Sequence, residues 1–273
     1  MSVAAILDVF AANRAAGRIA LEAGAGDGIT RRRRVYEDGP LRVRFPNTYD
    51  SALDAVIVNT AGGIAGGDRH DIAIEAHTGA RVAVTTAAAE KVYRTHGPDA
   101  EINVRLSAEA GATLAWLPQE TILFDQARLR RRIEVDLADD ASLILAEAVV
   151  FGRAAMGEAV KQGAFSDCWR VRRDGALIFA ETVRLDGEVA RRLVEPAVAA
   201  GGIALATVLA VPGDETVAER VRGAADFCGE VGISAWNGLA VARLCAKDGA
   251  ALRHDLAAVL TALGAPLPRL WLQ

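Results

Sequence analysis

The strongest constraint on this chain is a two-residue hydrophobic alternation that sets in at Leu41 and keeps returning after short turns. Ile72, Ile74 and Ala76 fall on one side of an extended chain, and Asp71, Glu75 and His77 on the other. The period recurs at Val82 and Val84, at Ile102, Val104 and Leu106, and at Leu129, Ile133, Val135 and Leu137. Gly79, Gly97, Gly111 and Asp139-Asp140 punctuate it. Such segments are half-buried strands, and their succession predicts a mainly β chain of stacked antiparallel sheets with β-helical-like layers. Leu143 to Phe151 is nearly all apolar, as a strand buried on both faces would be. Trp169-Arg170-Val171 and Leu177-Ile178-Phe179 flank Arg173-Asp174-Gly175, which predicts a hairpin.

Near the end the period changes. Val217, Val221, Ala225 and Cys228 recur at helical spacing, as do Leu252, Leu256, Val259, Leu260 and Leu263, with a strand from Gly238 to Leu244 between them. Two α-helices in a small C-terminal α/β lobe are expected over 203–273, packed as one domain on a β-rich body over 41–202. Val3, Ile6, Leu7 and Phe10 are spaced like one face of a short helix, so residues 1–40 read as more helical than the rest. A length of 273 residues is near the upper limit for one large domain.

A formal net charge of −4 offers no general attraction to polyanions, so no nucleic-acid partner is expected. The one basic run, Arg31 to Arg34, reads as a solvated face, with a docking patch or targeting signal as the alternatives. Cys168, Cys228 and Cys245 are widely spaced and form no CxxC pair, which fits a reducing cytoplasm better than a disulfide framework. No apolar run reaches the length of a membrane span, so no membrane partner is expected.

Thr60 to Asp68 reads TAGGIAGGD, with Gly62, Gly63, Gly66 and Gly67 after an apolar strand. The run permits a phosphate cradle or a tight connection between two strands, and the absence of a following Lys-Ser/Thr pair favours the connection. Asp68, His70 and Asp71 offer ligand atoms to a divalent metal, or simply polarity on a turn. Lys91, Tyr93 and Arg94 end an apolar stretch and suit either a partner's carboxylates or the polar rim of a sheet. Glu120 follows Trp116 and Pro118, while Glu147 interrupts an apolar run and is expected to be buried. A buried carboxylate must be paired, hydrogen-bonded or neutralised, so Glu147 is either functional or a structural ion-pair partner. Two of Asp68, Glu120 and Glu147 together would suit a β-rich hydrolase working by paired carboxylates, although no nucleophile elbow accompanies them.

Six segments taken in order carry a resemblance: TAGGIAGGD, TTAAAEKVYRT, WLPQE, EAVVFGRAAMGE (with Arg153), DCWRVRRDGALIFAE and the closing LPRLW. From roughly Gly39 to the C-terminus they resemble the urease accessory protein D family. The resemblance implies a β-rich body with a small helical part and a non-enzymatic scaffold. Such a scaffold binds apo-urease and accessory protein F, with the GTPase protein G attached through F, for nickel insertion. It implies no tightly bound cofactor, only Ni²⁺ in transit past acidic residues. By motif those are Asp68, Glu147 and Glu181. Clustered His or Cys would trap the ion, whereas scattered ones fit a conduit. Residues 1–40 match the family poorly in this comparison and receive no role.

Overall fold

A computed structural model describes residues 14–47, 51–153, 156–224 and 226–272. The alternation is realised as two sheets facing each other across one core. One has seven strands in the order β14-β13-β11-β8-β5-β1-β2, and the other runs β16-β17-β15-β12-β9-β6-β4-β3 with β10 and β7 attached beside β12. The seven-stranded sheet comprises β1 (Ala16–Gly26), β2 (Ile29–Asp38), β5 (Arg69–Ala76), β8 (Ala100–Ala108), β11 (Arg128–Leu137), β13 (Gly163–Arg173) and β14 (Ala176–Gly187). The second sheet holds β3 (Leu41–Arg44), β4 (Leu53–Asn59), β6 (Arg81–Thr86), β7 (Glu90–Val92), β9 (Thr113–Trp116), β10 (Thr121–Leu123), β12 (Ser142–Phe151), β15 (Ala204–Val211), β16 (Glu230–Trp236) and β17 (Leu239–Ala246).

From β4 to β13 the chain passes from one sheet to the other and back, so successive strands of the same sheet run parallel. The expected antiparallel direction holds at β1/β2, β3/β4, β13/β14 and the β12-β15-β17-β16 ladder, while the middle is parallel and solenoid-like. The reason is the connection: a strand of the opposite sheet lies between each pair, so the chain always re-enters from the same end. Parallel register stacks like on like. Ile19, Ile72, Val104, Ile133 and Trp169 form one inward row, and Val84, Trp116, Leu145, Leu209 and Val241 form its counterpart. All ten are buried, which is the hydrophobic contribution that the alternation encodes.

The outer face of the second sheet is lined by Ala146, Ala148, Ala206, Ala240 and Ala242, small enough for helices to lie close. Three α-helices occur among the described residues: α1 (Val189–Val194), α2 (Glu215–Arg222) and α3 (Gly249–Ala262). Leu252, Leu256, Val259 and Leu260 of α3, with Ala218 and Val221 of α2, cover that alanine face. Both helices begin at an aspartate, Asp214 or Asp248, whose side chain accepts a first-turn N–H. The two expected C-terminal helices are therefore present. The first stops at Arg222, however, so Cys228 lies beyond it in a loop. The spacing that suggested continuation also ran through Ala225, which is outside the described residues. β15 pairs with β12, so residues 204–246 extend the body's own sheet.

The helical reading of residues 1–40 does not hold where the chain is described. Residues 16–38 are the β1/β2 pair at one end of the seven-stranded sheet among the described residues, with Arg31 to Arg34 exposed on the outermost strand of that end. The helix expected from Val3 to Phe10 lies outside the described residues. The predicted hairpin is β13/β14. Asp174 (φ 47°) and Gly175 (φ 78°) turn it, both in the left-handed region that a tight two-residue turn requires.

Candidate functional site

Where the inward rows of the two sheets meet near β12 and β13, the core turns polar. Arg131 occupies an inward position of β11, between Leu129 and Ile133, and is 3% exposed. Its Nε and Nη2 donate to Asp167 Oδ1 (3.0 Å) and Oδ2 (2.6 Å), a two-pronged bond across the β11/β13 register. Arg131 Nη1 donates to Glu147 Oε2 on β12 in the opposite sheet, and also to Thr121 Oγ1 at 3.3 Å. Trp116 Nε1 donates to Glu147 Oε1 at 2.8 Å. One guanidinium thus bridges two buried carboxylates from facing sheets, with an indole and a hydroxyl completing the shell. Burial pushes the Glu147 carboxyl up to about 7; the Arg131 charge opposes this, and the Asp167 charge adds to it. Arg131 is held more firmly protonated than usual despite its burial, by Asp167 and Glu147.

This cluster contributes to the wall of a cleft of about 880 Å³ between β13/β14 and β15/β17. Phe165, Val183, Leu205 and Thr207 contribute lining, as does Arg243. Glu147, Thr207 and Arg243 are aligned across the β12-β15-β17 ladder. Arg243 in turn meets Glu181 of β14 with two bonds of 2.7 and 2.6 Å. Glu147 and Glu181 are therefore associated with the same cleft, one lining it and the other joined to a lining residue.

Asp68 lies elsewhere. It is buried at the start of β5, where Oδ1 accepts from Ala15 N and Oδ2 from Ala65 N, each at 2.8 Å. Two residues on, His70 also faces inward, with Nε2 buried and unpartnered and its basicity lowered by burial. Glu120 lies near the outer helices, bonded to Arg253 of α3 at 3.1 Å, and Gln119 reaches Leu270 O at 3.3 Å. Asp68, Glu120 and Glu147 have no common partner in these contacts. The carboxylate that stands with Glu147 is Asp167.

The glycine run and the Lys91–Arg94 segment form one unit. Ile64 N donates to Lys91 O and Tyr93 N to Ile64 O, while Tyr93 Oη donates to Gly62 O at 2.9 Å. A side chain at Gly63 would lie 2.5 Å from the Tyr93 ring, and one at Gly66 would lie 2.1 Å from Thr95 Oγ1. Gly62 and Gly67 have φ of 76° and 88°. The run is the strand connection between β4 and β5. Tyr93 stacks edge-on against Phe124, over which Arg153 lies at 4.1 Å while its guanidinium holds Glu158. Lys91 and Arg94 remain exposed.

Sequence reading named Glu147 but missed Arg131, Asp167 and Arg243. For the first two a signal existed: each interrupts an inward alternation, Leu129-Arg131-Ile133 and Phe165-Asp167-Trp169. Two opposite charges in inward positions of consecutive strands of one sheet identify a buried pair.

The fold and this cluster define a two-sheet β-solenoid whose internal polar chemistry is that of carboxylates joined by a guanidinium. The family model described as "UreD urease accessory protein" matches residues 15–272, and the chain belongs to that family. The match starts ahead of Gly39, at the β1/β2 pair. The chain is 59% identical over 265 residues to "Urease accessory protein UreD" of Rhodopseudomonas palustris strain BisA53, covering 97% of this chain and 93% of the relative. It is 58% identical to the protein of that name from Bradyrhizobium diazoefficiens, covering 97% and 96% respectively. It is 56% identical to "Urease accessory protein UreD 3" of Bradyrhizobium sp. strain BTAi1, covering 98% and 97%. Among the described residues no helix is long and apolar enough to cross a membrane.

Proposed function

We propose that this chain is a non-enzymatic scaffold of urease maturation that binds apo-urease, recruits accessory protein F and, through F, protein G, and guides Ni²⁺ in transit. The observation that carries the passage is the Arg131–Glu147–Asp167 cluster at the cleft, with Glu181 tied to the same cleft through Arg243. Carboxylate oxygen with water is a loose environment for Ni²⁺, and Arg131 offsets one of the two negative charges, so an ion is held weakly enough to move on. Glu147 and Glu181 are assigned the cleft end of the route and Asp68 the end near β1. No tightly bound cofactor enters this reading. The work is assigned to the cytoplasm, where Cys168, Cys228 and Cys245, all free, stay reduced.

The test is co-expression with the host's apo-urease and protein F, followed by pull-down and nickel-dependent activation. A complex that forms, with activation lost when this chain is omitted, is the expected result; no complex sinks the scaffold. Glu181→Ala is expected to lower activation while leaving assembly intact. Unchanged activation removes Glu181 from the route.

A further inference from the structure

We propose that Cys228, His254 and Asp255 form a surface site for a divalent first-row transition-metal cation, separate from the cleft and independent of the passage assigned to it. Their three ligand atoms, a sulfur, a ring nitrogen and a carboxylate oxygen, all lie within 4.8 Å of one another. His254 and Asp255 are neighbours in the sequence but Cys228 lies far ahead of them, so no ligand motif is visible, and the fold brings the cysteine to the pair.

The loop before β16 is clamped onto α3. Asp255, 1% exposed, accepts from Cys228 N and Gly229 N with its two carboxylate oxygens, each at 2.8 Å. Gly229 fits because a side chain there would come 2.4 Å from Cys245 O on β17. The Cys228 backbone is thus fixed from two sides, beside the helix that carries His254. His254 and Cys228 are both exposed, so an ion can reach them from solvent. Metal–sulfur and metal–nitrogen bonds of about 2.3 and 2.0 Å put tetrahedral ligands about 3.5 Å apart, a side-chain rotation away from the present arrangement. Each Asp255 oxygen retains a further lone pair for the ion.

A thiolate with imidazole and carboxylate suits Ni²⁺, Co²⁺ or Zn²⁺ and disfavours Mg²⁺ or Ca²⁺. Three protein ligands leave a position for water, so the ion exchanges, unlike one in a closed four-ligand structural site. The thiol and the imidazole must both be deprotonated to bind, so affinity falls as pH falls. A second trio, Glu22, Glu75 and His77, lies at the end of β5, where both ring nitrogens of His77 already face carboxylates, Glu109 at 2.9 Å and Glu22 at 3.7 Å.

The experiment titrates the untagged, reduced full chain, held in its complex where that keeps it in solution, with Co²⁺ and then displaces Co²⁺ with Ni²⁺. A thiolate-to-cobalt charge-transfer absorption saturating at one equivalent is expected. Cys228→Ser should abolish that band, and Cys228→Ser or His254→Ala should each weaken binding at least tenfold. Cys245→Ser and His77→Ala should leave it unchanged, with melting temperatures of all variants measured alongside. No thiolate band in the wild type, a band that persists in Cys228→Ser, or binding lost in His77→Ala and kept in His254→Ala would overturn the site. None of these results bears on whether the chain binds apo-urease, which the pull-down decides.

Discussion

Replacing Arg131 with methionine keeps most of the side chain's volume and removes its charge, leaving Glu147 and Asp167 facing each other without a counter-ion. Both carboxylates are buried, at 5% and 7% exposure, and together they accept three of the four hydrogen bonds that Arg131 donates. Breaking a buried ion pair from one side costs about 3–5 kcal/mol, mostly the penalty of an uncompensated buried charge. In a chain of this size each kcal/mol lowers the melting temperature by about 2–4 °C, so a fall on the order of 10 °C is expected. The loss should depend on pH with a definite sign. Without Arg131, the Glu147 carboxyl rises further above its value of about 7, because the charge that opposed burial is gone. The deficit is then largest above neutral pH and shrinks as acid neutralises Glu147. The triple variant Arg131→Met, Glu147→Gln, Asp167→Asn carries no buried charge at these positions and should recover at least half of the loss. Thermal melts followed by circular dichroism at about pH 5.5 and about pH 8 give all four numbers. A deficit below about 1 kcal/mol, or one equal at both pH values, would refute the account of Arg131 as the counter-ion that makes this interior polar.

Glu90, accepting from Asn59 Nδ2 at 3.1 Å, has its carboxyl pushed by burial from 4.5 up to about 7. Its contribution to stability is fully present below about 4.5 and is lost as pH rises through about 7. Relative to the wild type, Glu90→Gln should therefore become steadily more favourable between those values in denaturant melts; a constant difference would count against the shift. Gly66→Ala forces a contact with Thr95 and with Pro98 O, 2.6 Å from the new carbon, and should cost about 1–3 kcal/mol. Gly62→Ala meets no atom within 4 Å and bears only its positive φ, about 1 kcal/mol, so the order of the two melting temperatures checks the packing of the loop.

How much of this was legible depends on which property carried the information. Inward and outward faces were readable because side-chain alternation survives any strand pairing, and residues such as Ile72, Val104 and Ile133 ended up where the period put them. Strand direction was not, because parallel and antiparallel neighbours alternate identically. Only the route between strands distinguishes them, and that route crosses to the other sheet. The burial of Glu147 followed from its apolar neighbours, whereas its partners Trp116 and Arg131 sit on β9 and β11, and the Thr121 and Asp167 that share Arg131 sit on β10 and β13. The C-terminal motif LPRLW was legible as a motif but not as a contact. Trp271 donates to Leu117 O at 3.0 Å, fastening the chain's end to the WLPQE segment, 154 positions away. Residues 16–38 were misread because Ala and Gly are plentiful in β1, and four consecutive arginines hide the alternation of β2.

That arginine run has a consequence for the molecule among its own copies. An in-register stack of strands ends in a row of unpaired N–H and C=O groups that would accept one more strand from any neighbour. Among the described residues β2 is the last strand on one side of the seven-stranded sheet, and it carries Arg31, Arg32, Arg33 and Arg34 in succession, all exposed. For two molecules to join edge to edge there, eight guanidinium groups would have to crowd around backbones about 4.8 Å apart. The same repetition that makes the body easy to extend strand by strand is halted at this border by like charge, so the sheet can grow along its own chain and stop there.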